Sequence, residues 1–145
     1  MRAVLQRVSR ATVTVDGQVV GELTRPGILA LVGVTHDDGP GQVALLARKI
    51  TDLRILHGER SVLDEGAPVL VVSQFTLYAD TRKGNRPGYS GAAPPEQAER
   101  LYELFVRELR GQLGGEAVDT GRFAASMDVA FVNEGPFTLM IESKV

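Results

Sequence analysis

Apolar and polar side chains alternate through Ala11, Thr12, Val13, Thr14 and Val15, a period of two that predicts a strand with one covered face. The alternation stops at Asp16-Gly17, the dipeptide that best suits a type I′ hairpin turn, and Val19 and Val20 resume a second strand beyond it. Ile28 to Val34 is almost wholly apolar and is bounded by Pro26-Gly27 and by the cluster from Thr35 to Pro40. A run of that kind predicts a central strand covered on both faces. After Gly41 the period changes, because Val43, Leu46, Ala47, Ile50 and Leu53 recur at helical spacing with polar Arg48, Lys49 and Asp52 between them. This is the pattern of an amphipathic helix.

A short strand or turn is expected near Arg54 to Leu56, followed by a polar loop from His57 to Gly66. Val69 to Leu77, reading VLVVSQFTL, begins as another buried strand but turns polar at Ser73-Gln74. Thr81 to Pro95 is rich in Gly, Pro, Lys and Arg and has no period, so it reads as a long loop of a length that usually has a function. Pro94 and Pro95 suit the first turn of a second helix, with Ala98, Leu101, Phe105 and Leu109 as its apolar stripe and Gly114-Gly115 at its end. Met127 to Val132 and Phe137 to Ile141 read as two strands separated by Asn133-Glu134-Gly135-Pro136. The order is strands, helix, strand, helix, strands, without an internal repeat or a linker, which predicts a single α/β domain over residues 1–145.

Length and composition narrow the class. A chain of 145 residues is long enough to bury roughly 70% of the surface its unfolded form exposes. The absence of cysteine removes disulfides, thiolate nucleophiles and Cys-ligated zinc together. The opening MRAVLQRVSR lacks the apolar stretch of a secretory signal, and no apolar run approaches the ~18 residues of a membrane span. A soluble cytoplasmic protein is therefore expected. With a net charge of −2, any contact with nucleic acid must rest on a local basic patch rather than on the field of the whole molecule.

The only histidines are His36, beside Asp37 and Asp38, and His57, before Gly58. Neither lies in a nucleophile motif, and the chain has no GxSxG elbow, HExxH or P-loop. Both read as solvated loop residues, which makes a Ser-His-Asp triad an unsuitable mechanism. Ser73, Gln74 and Thr76 put hydroxyl, amide and backbone N–H donors where a strand meets a loop. Taken alone they fit a strand end that satisfies its own backbone. In Asn133-Glu134-Gly135-Pro136-Phe137-Thr138 the most permissive residue precedes the most restricted one, which taken alone is a turn.

Together these segments resemble the D-aminoacyl-tRNA deacylase family over essentially the whole chain. LQRVSRATVTVDG, VVSQFTLYAD followed by RPGYS, TGRFAASM and VNEGPFT match in order and spacing, and the specific part is the co-occurrence of SQxxL with NxGPxT. The resemblance implies a compact barrel-like β domain with two main amphipathic helices, forming a homodimer with active sites at the interface. It implies a hydrolase that releases a D-amino acid, or glycine, from tRNA without cofactor or metal. Ser73, Gln74, Phe75 and Thr138 fall at the family's pocket positions, with backbone N–H groups around Gln74 and Phe75 placed for an ester oxyanion.

Gly135-Pro136 corresponds to the family's cis dipeptide, entering the partner subunit's site and rejecting L side chains by collision, with Arg7 and Asn133 in the matching segments around it. The 2′-hydroxyl of the terminal adenosine supplies reactivity in this view, and Thr138 as nucleophile ranks second. Met127 and Phe123 match the adenosine pocket by position, while Arg82, Lys83 and Arg86, with Tyr89, form a basic loop suited to tRNA phosphates or a base. Glu134 stands where aspartate or serine is frequent, and Phe137 where a smaller aliphatic residue is frequent. The alternative function is a non-catalytic tRNA-binding, editing-like accessory domain.

Overall fold

The computed structural model describes residues 1–143. Strands β1 (Arg2–Val15), β2 (Gln18–Leu23) and β3 (Gly27–Gly33) come first, followed by helices α1 (Pro40–Asp52) and α2 (Val62–Glu65). Strand β4 (Val69–Ser73) runs into a single 3-10 turn at Phe75–Tyr78, and α3 (Pro95–Leu113), β5 (Val118–Thr120) and β6 (Asp128–Glu142) complete the chain. Asp16 and Gly17 both take positive φ, 49° and 79°, as the type I′ turn expected between β1 and β2 requires.

The sheet order is β2-β1-β3-β4-β5, with β6 on β1. β1 pairs antiparallel with β2, β3 and β6, whereas β4 lies parallel to both β3 and β5. β1 can serve three neighbours because it is long: Arg2 to Val8 face β3 and Ala11 to Val15 face β2. The sheet curls until β2 meets β5, where Glu22 N donates to Asp119 Oδ2 at 3.0 Å. Gly21 permits that closure, since a Cβ there would fall 2.1 Å from the Thr120 carbonyl oxygen. The result is a nearly closed, barrel-like sheet.

The apolar runs of β3 and β4 are explained by burial on two sides. Ile28, Ala30, Val69 and Val71 share one cluster with Leu46 and Ile50 of α1 and Phe105 and Leu109 of α3. Leu29, Leu70 and Val72 point the other way, into the curled sheet with Val8 and Val13. Each such Leu, Ile or Phe contributes about 1.5–3 kcal/mol relative to an exposed one, so this two-sided core fixes the end of β4 firmly.

Three expectations are corrected. The loop from His57 to Gly66 contains α2, nucleated because Ser61 and Asp64 form a capping box and Val62 is buried. The expected element near Arg54 to Leu56 is only an isolated bridge between Leu56 and Arg60. The two expected C-terminal strands are one, β6, which continues through Asn133-Glu134-Gly135-Pro136 as a bulge because β1 supplies pairing on both sides of it. β5, only three residues long, has no sequence period to announce it.

Candidate active site

The polar switch at Ser73-Gln74 is where β4 outruns its neighbour. Gln74 N donates to the Val32 carbonyl at 2.8 Å, and the chain then turns through Phe75–Tyr78. This corrects one expectation: the Gln74 N–H is already used inside the sheet and is not an oxyanion donor. The first N–H groups of the 3-10 turn, beginning with Phe75, have no acceptor within the turn and remain for a ligand. The Gln74 side chain curls back so that Nε2 donates to Thr76 Oγ1.

Ser73, Gln74 and Phe75 form one wall of a cavity of about 630 Å³. Tyr89 and Ala92 to Pro95 form a second, and Phe123, Ala124, Ala125 and Met127 a third. The second wall is held by Ala93 N donating to Val34 O at 2.9 Å and by Thr35 Oγ1 donating to Gly91 O at 2.6 Å. The third is a turn in which Ala124 takes φ 63° and the Arg122 N–H points at Met127 Sδ, 3.4 Å away. Behind it Tyr102 donates to the Val71 carbonyl at 2.9 Å and stacks at a tilt against Phe123. Burial pushes the Tyr102 phenol up, keeping it a neutral donor. At the mouth, Phe75 and Tyr89 meet edge to face with centroids 5.1 Å apart, and both rings are exposed.

Met127 and Phe123 thus join Ser73, Gln74 and Phe75, whereas Thr138 does not. It lies exposed on β6, with Gln6 Nε2 donating to its Oγ1 at 3.3 Å. Gly135 and Pro136 are also exposed and do not line the cavity of their own chain. They sit in the β6 bulge: Val8 pairs with Asn133 and Gln6 with Thr138, so Arg7 alone opposes Glu134, Gly135, Pro136 and Phe137.

Polar contacts close that bulge. Asn133 Nδ2 donates to Arg7 O at 2.9 Å and to Phe137 O at 3.0 Å. Arg7 Nε donates to Glu134 O at 3.1 Å and Nη1 to Ile55 O at 3.2 Å, while the guanidinium lies 5.1 Å from the Phe137 ring centre. The expected cis bond at Gly135-Pro136 is not found, since no described peptide bond is cis. Gly135 at φ 119° takes up the change of chain direction instead, as only glycine does readily. His57, read from sequence as a solvated loop residue, places Nε2 against the Glu134 carboxylate. Seventy-seven positions separate the two, and no local signal joins them.

His36 is exposed, with Nε2 2.6 Å from the Ser90 carbonyl oxygen. In the basic loop Arg82 grips Asp80 through two guanidinium bonds of 2.9 and 2.7 Å, which hold the Asp80 carboxyl down at about 2. That pairing spends one of the loop's cations locally, and Lys83 and Arg86 extend from fully exposed chain. No cluster of three or more metal-ligating His, Asp or Glu side chains occurs among the described residues, and none of their helices is long and apolar enough to cross a membrane.

The family model described as D-Tyr-tRNA(Tyr) deacylase matches residues 4–142. A D-aminoacyl-tRNA deacylase of Kineococcus radiotolerans is 59% identical over 99% of this chain and 100% of its own length. One from Thermobifida fusca is 61% identical over 98% and 99%. Among solved structures, a c-Myc DNA Unwinding Element Binding Protein superposes with a TM-score of 0.94 at 39% identity, each chain covered in full. A probable eukaryotic D-amino acid tRNA deacylase shares the fold, with a TM-score of 0.87 at 18% identity over 97% of this chain and 98% of its own.

Proposed function

The chain belongs to the D-Tyr-tRNA(Tyr) deacylase family, and we propose from that premise that it hydrolyses the ester joining a D-amino acid to the 3′ end of tRNA. The observation that carries the reading is the cavity itself, a largely apolar space lined by Phe75, whose N–H begins the 3-10 turn without an acceptor within it, at the end of a strand buried on both faces. Its size falls within the range that encloses a small ligand, here an aminoacylated nucleoside. An ester carbonyl seated on that wall develops negative charge as water adds, and the Phe75 N–H is positioned to receive it.

Among the described residues neither Ser73 nor Thr138 has a histidine partner, so neither is an activated nucleophile. In the proposed reaction the 2′-hydroxyl of the terminal adenosine activates a water that adds to the ester carbonyl. The bond to the 3′ oxygen breaks and that oxygen leaves as the 3′-hydroxyl with a proton from the water, while the protein orients the ester and stabilises its oxyanion. The amino-acid side is sorted by a second copy of the chain. Its Gly135-Pro136 bulge, exposed and remote from its own cavity, enters the neighbour's pocket and occupies the volume an L side chain needs. Glycine, having no side chain to collide, is accepted with D-amino acids. The filter as proposed rests on the bulge's backbone and not on a cis bond. Support for pairing comes from β6, which places exposed Phe131, Val132 and Met140 on the outer strand of the sheet.

Lys83, Arg86 and Tyr89 are proposed to meet tRNA near the mouth, in a soluble cytoplasmic setting. The direct experiment is to incubate the protein with D- and L-aminoacylated tRNA and follow deacylation. Acceleration confined to D- and glycyl-tRNA supports the reading; binding without acceleration of any substrate makes the chain a non-catalytic accessory domain. A tRNA ending in 2′-deoxyadenosine separates the mechanisms, because undiminished hydrolysis removes the RNA hydroxyl from the reaction.

A further inference from the structure

We propose that His57 is a positioning residue for the Gly135-Pro136 bulge, acting through the side chain of Glu134. This rests on the proposed entry of that bulge into a neighbouring pocket, and it adds a residue from a part of the chain far from either motif.

Glu134 precedes Gly135, whose φ of 119° makes it the swivel of the bulge. Any rotation of the Glu134 peptide plane is passed through that swivel to Pro136. Arg7 holds Glu134 at one point, the carbonyl oxygen. One contact leaves the peptide free to turn about it. The second contact is the His57 Nε2 on the Glu134 carboxylate, and together the two fix the residue at both its main chain and its side chain.

The support under His57 is firm. Leu56 N donates to Arg60 O at 2.9 Å, closing a tight hairpin whose Gly58 and Glu59 take φ 75° and 56°. Ile55 is buried, and its carbonyl receives Arg7 Nη1, so the Arg7 clasp from β1 is tied to the same short segment that carries His57. Arg60 Nε donates to Glu65 Oε1 at 2.8 Å and ties the hairpin to α2. A recess of about 260 Å³ separates these parts, with Arg7, Arg25, His57, Glu65 and Glu134 as the charged or titratable groups around it.

The His57 side chain is 69% exposed, and a polar contact between exposed side chains contributes little stability. The pair therefore acts on where the bulge points more than on whether the chain folds. The test compares kcat/KM for D- and L-aminoacyl-tRNA in the wild type, His57→Ala, His57→Gln, Glu134→Gln and Pro136→Ala, together with thermal midpoints. His57→Ala should lower the D-to-L ratio by up to about fivefold and move the midpoint by no more than about 2 °C. His57→Gln, which keeps an N–H for the carboxylate, should recover most of the ratio. Combining His57→Ala with Glu134→Gln should do no more than either alone. An unchanged ratio in His57→Ala while Pro136→Ala lowers it, or additive effects of the His57 and Glu134 changes, overturns the inference alone. A ratio indifferent to Pro136→Ala overturns the reading of the bulge, and this inference with it.

Discussion

The wall from Ser73 to Phe75 stands at the end of β4, whose preceding residues are buried on both faces of the sheet, whereas the bulge from Glu134 to Phe137 hangs from β1 with Gly135 and Pro136 exposed. The wall is placed by the apolar core and one backbone bond from Gln74 to Val32. The bulge is placed by side chains: Arg7 and His57 reach it from distant parts of the sequence, and Asn133, at its own edge, ties it back to the Arg7 carbonyl. The difference matches the two tasks proposed for these regions. Stabilising an oxyanion needs a donor that cannot move, and a two-sided core provides it. Sorting by handedness needs a protrusion that leaves its own fold, so it cannot be buried there and must be braced from the side.

The comparison predicts that damage to the wall costs rate and damage to the bulge costs discrimination. The largest effect is expected from Phe75→Pro, which deletes the N–H at the first position of the 3-10 turn, where proline's fixed φ is tolerated. kcat should fall by ~10²–10³-fold, far more than in Phe75→Ala; equal losses would mean that the ring, and not the N–H, is what matters. Next comes Arg7→Ala, which removes the bonds to Glu134 and Ile55 and the contact with Phe137. Chemical denaturation should show a loss of about 2 kcal/mol, and L-aminoacyl-tRNA should become a substrate. Lysine should not restore either property, because it lacks the planar fork.

Gly135→Ala should act in the same direction and less strongly. Its Cβ would lie 2.4 Å from Arg7 Nη2 and φ 119° suits no L side chain, a cost of about 1–3 kcal/mol if the geometry is kept. A D-to-L ratio that survives this change would detach the bulge from selection. The smallest effect concerns pH in the turn that follows the wall. Burial, then Asp38, pushes the Tyr78 phenol from 10.0 up to about 12, with Arg2 4.5 Å from its ring centre. A raised phenol favours the neutral form on folding, so its contribution is complete below pH 10.0 and is lost as pH rises through about 12. Alkaline denaturation followed by tyrosine absorbance should show this slope, and Tyr78→Phe should flatten it.

What was legible in the sequence divides along the same line. β3, the Asp16-Gly17 turn, α1 and α3 follow from local periods and turn chemistry, and the polar switch at Ser73-Gln74 is visible in the sequence as the end of an apolar run. The bulge was legible only as a motif. Its trans bond, its inclusion in a single β6 and its link to His57 depend on pairings between residues far apart in the chain, which no period records. The Gln74 N–H illustrates the same limit, because only the position of Val32 across the sheet reveals that it is already engaged.

The central claim is that wall and bulge work across two copies of the chain, and mixing two variants tests it most directly. Phe75→Pro chains are expected to be inactive but to carry an intact bulge; Pro136→Ala chains are expected to hydrolyse L-aminoacyl-tRNA through an intact wall. When equal amounts are unfolded together and refolded, about half of the active pockets should face an intact bulge in a two-fold dimer. L-hydrolysis per Pro136→Ala chain should then drop by about half, while D-hydrolysis persists. L-hydrolysis unaffected by the inactive chain, in mixtures shown to contain hybrid dimers, would contradict the account.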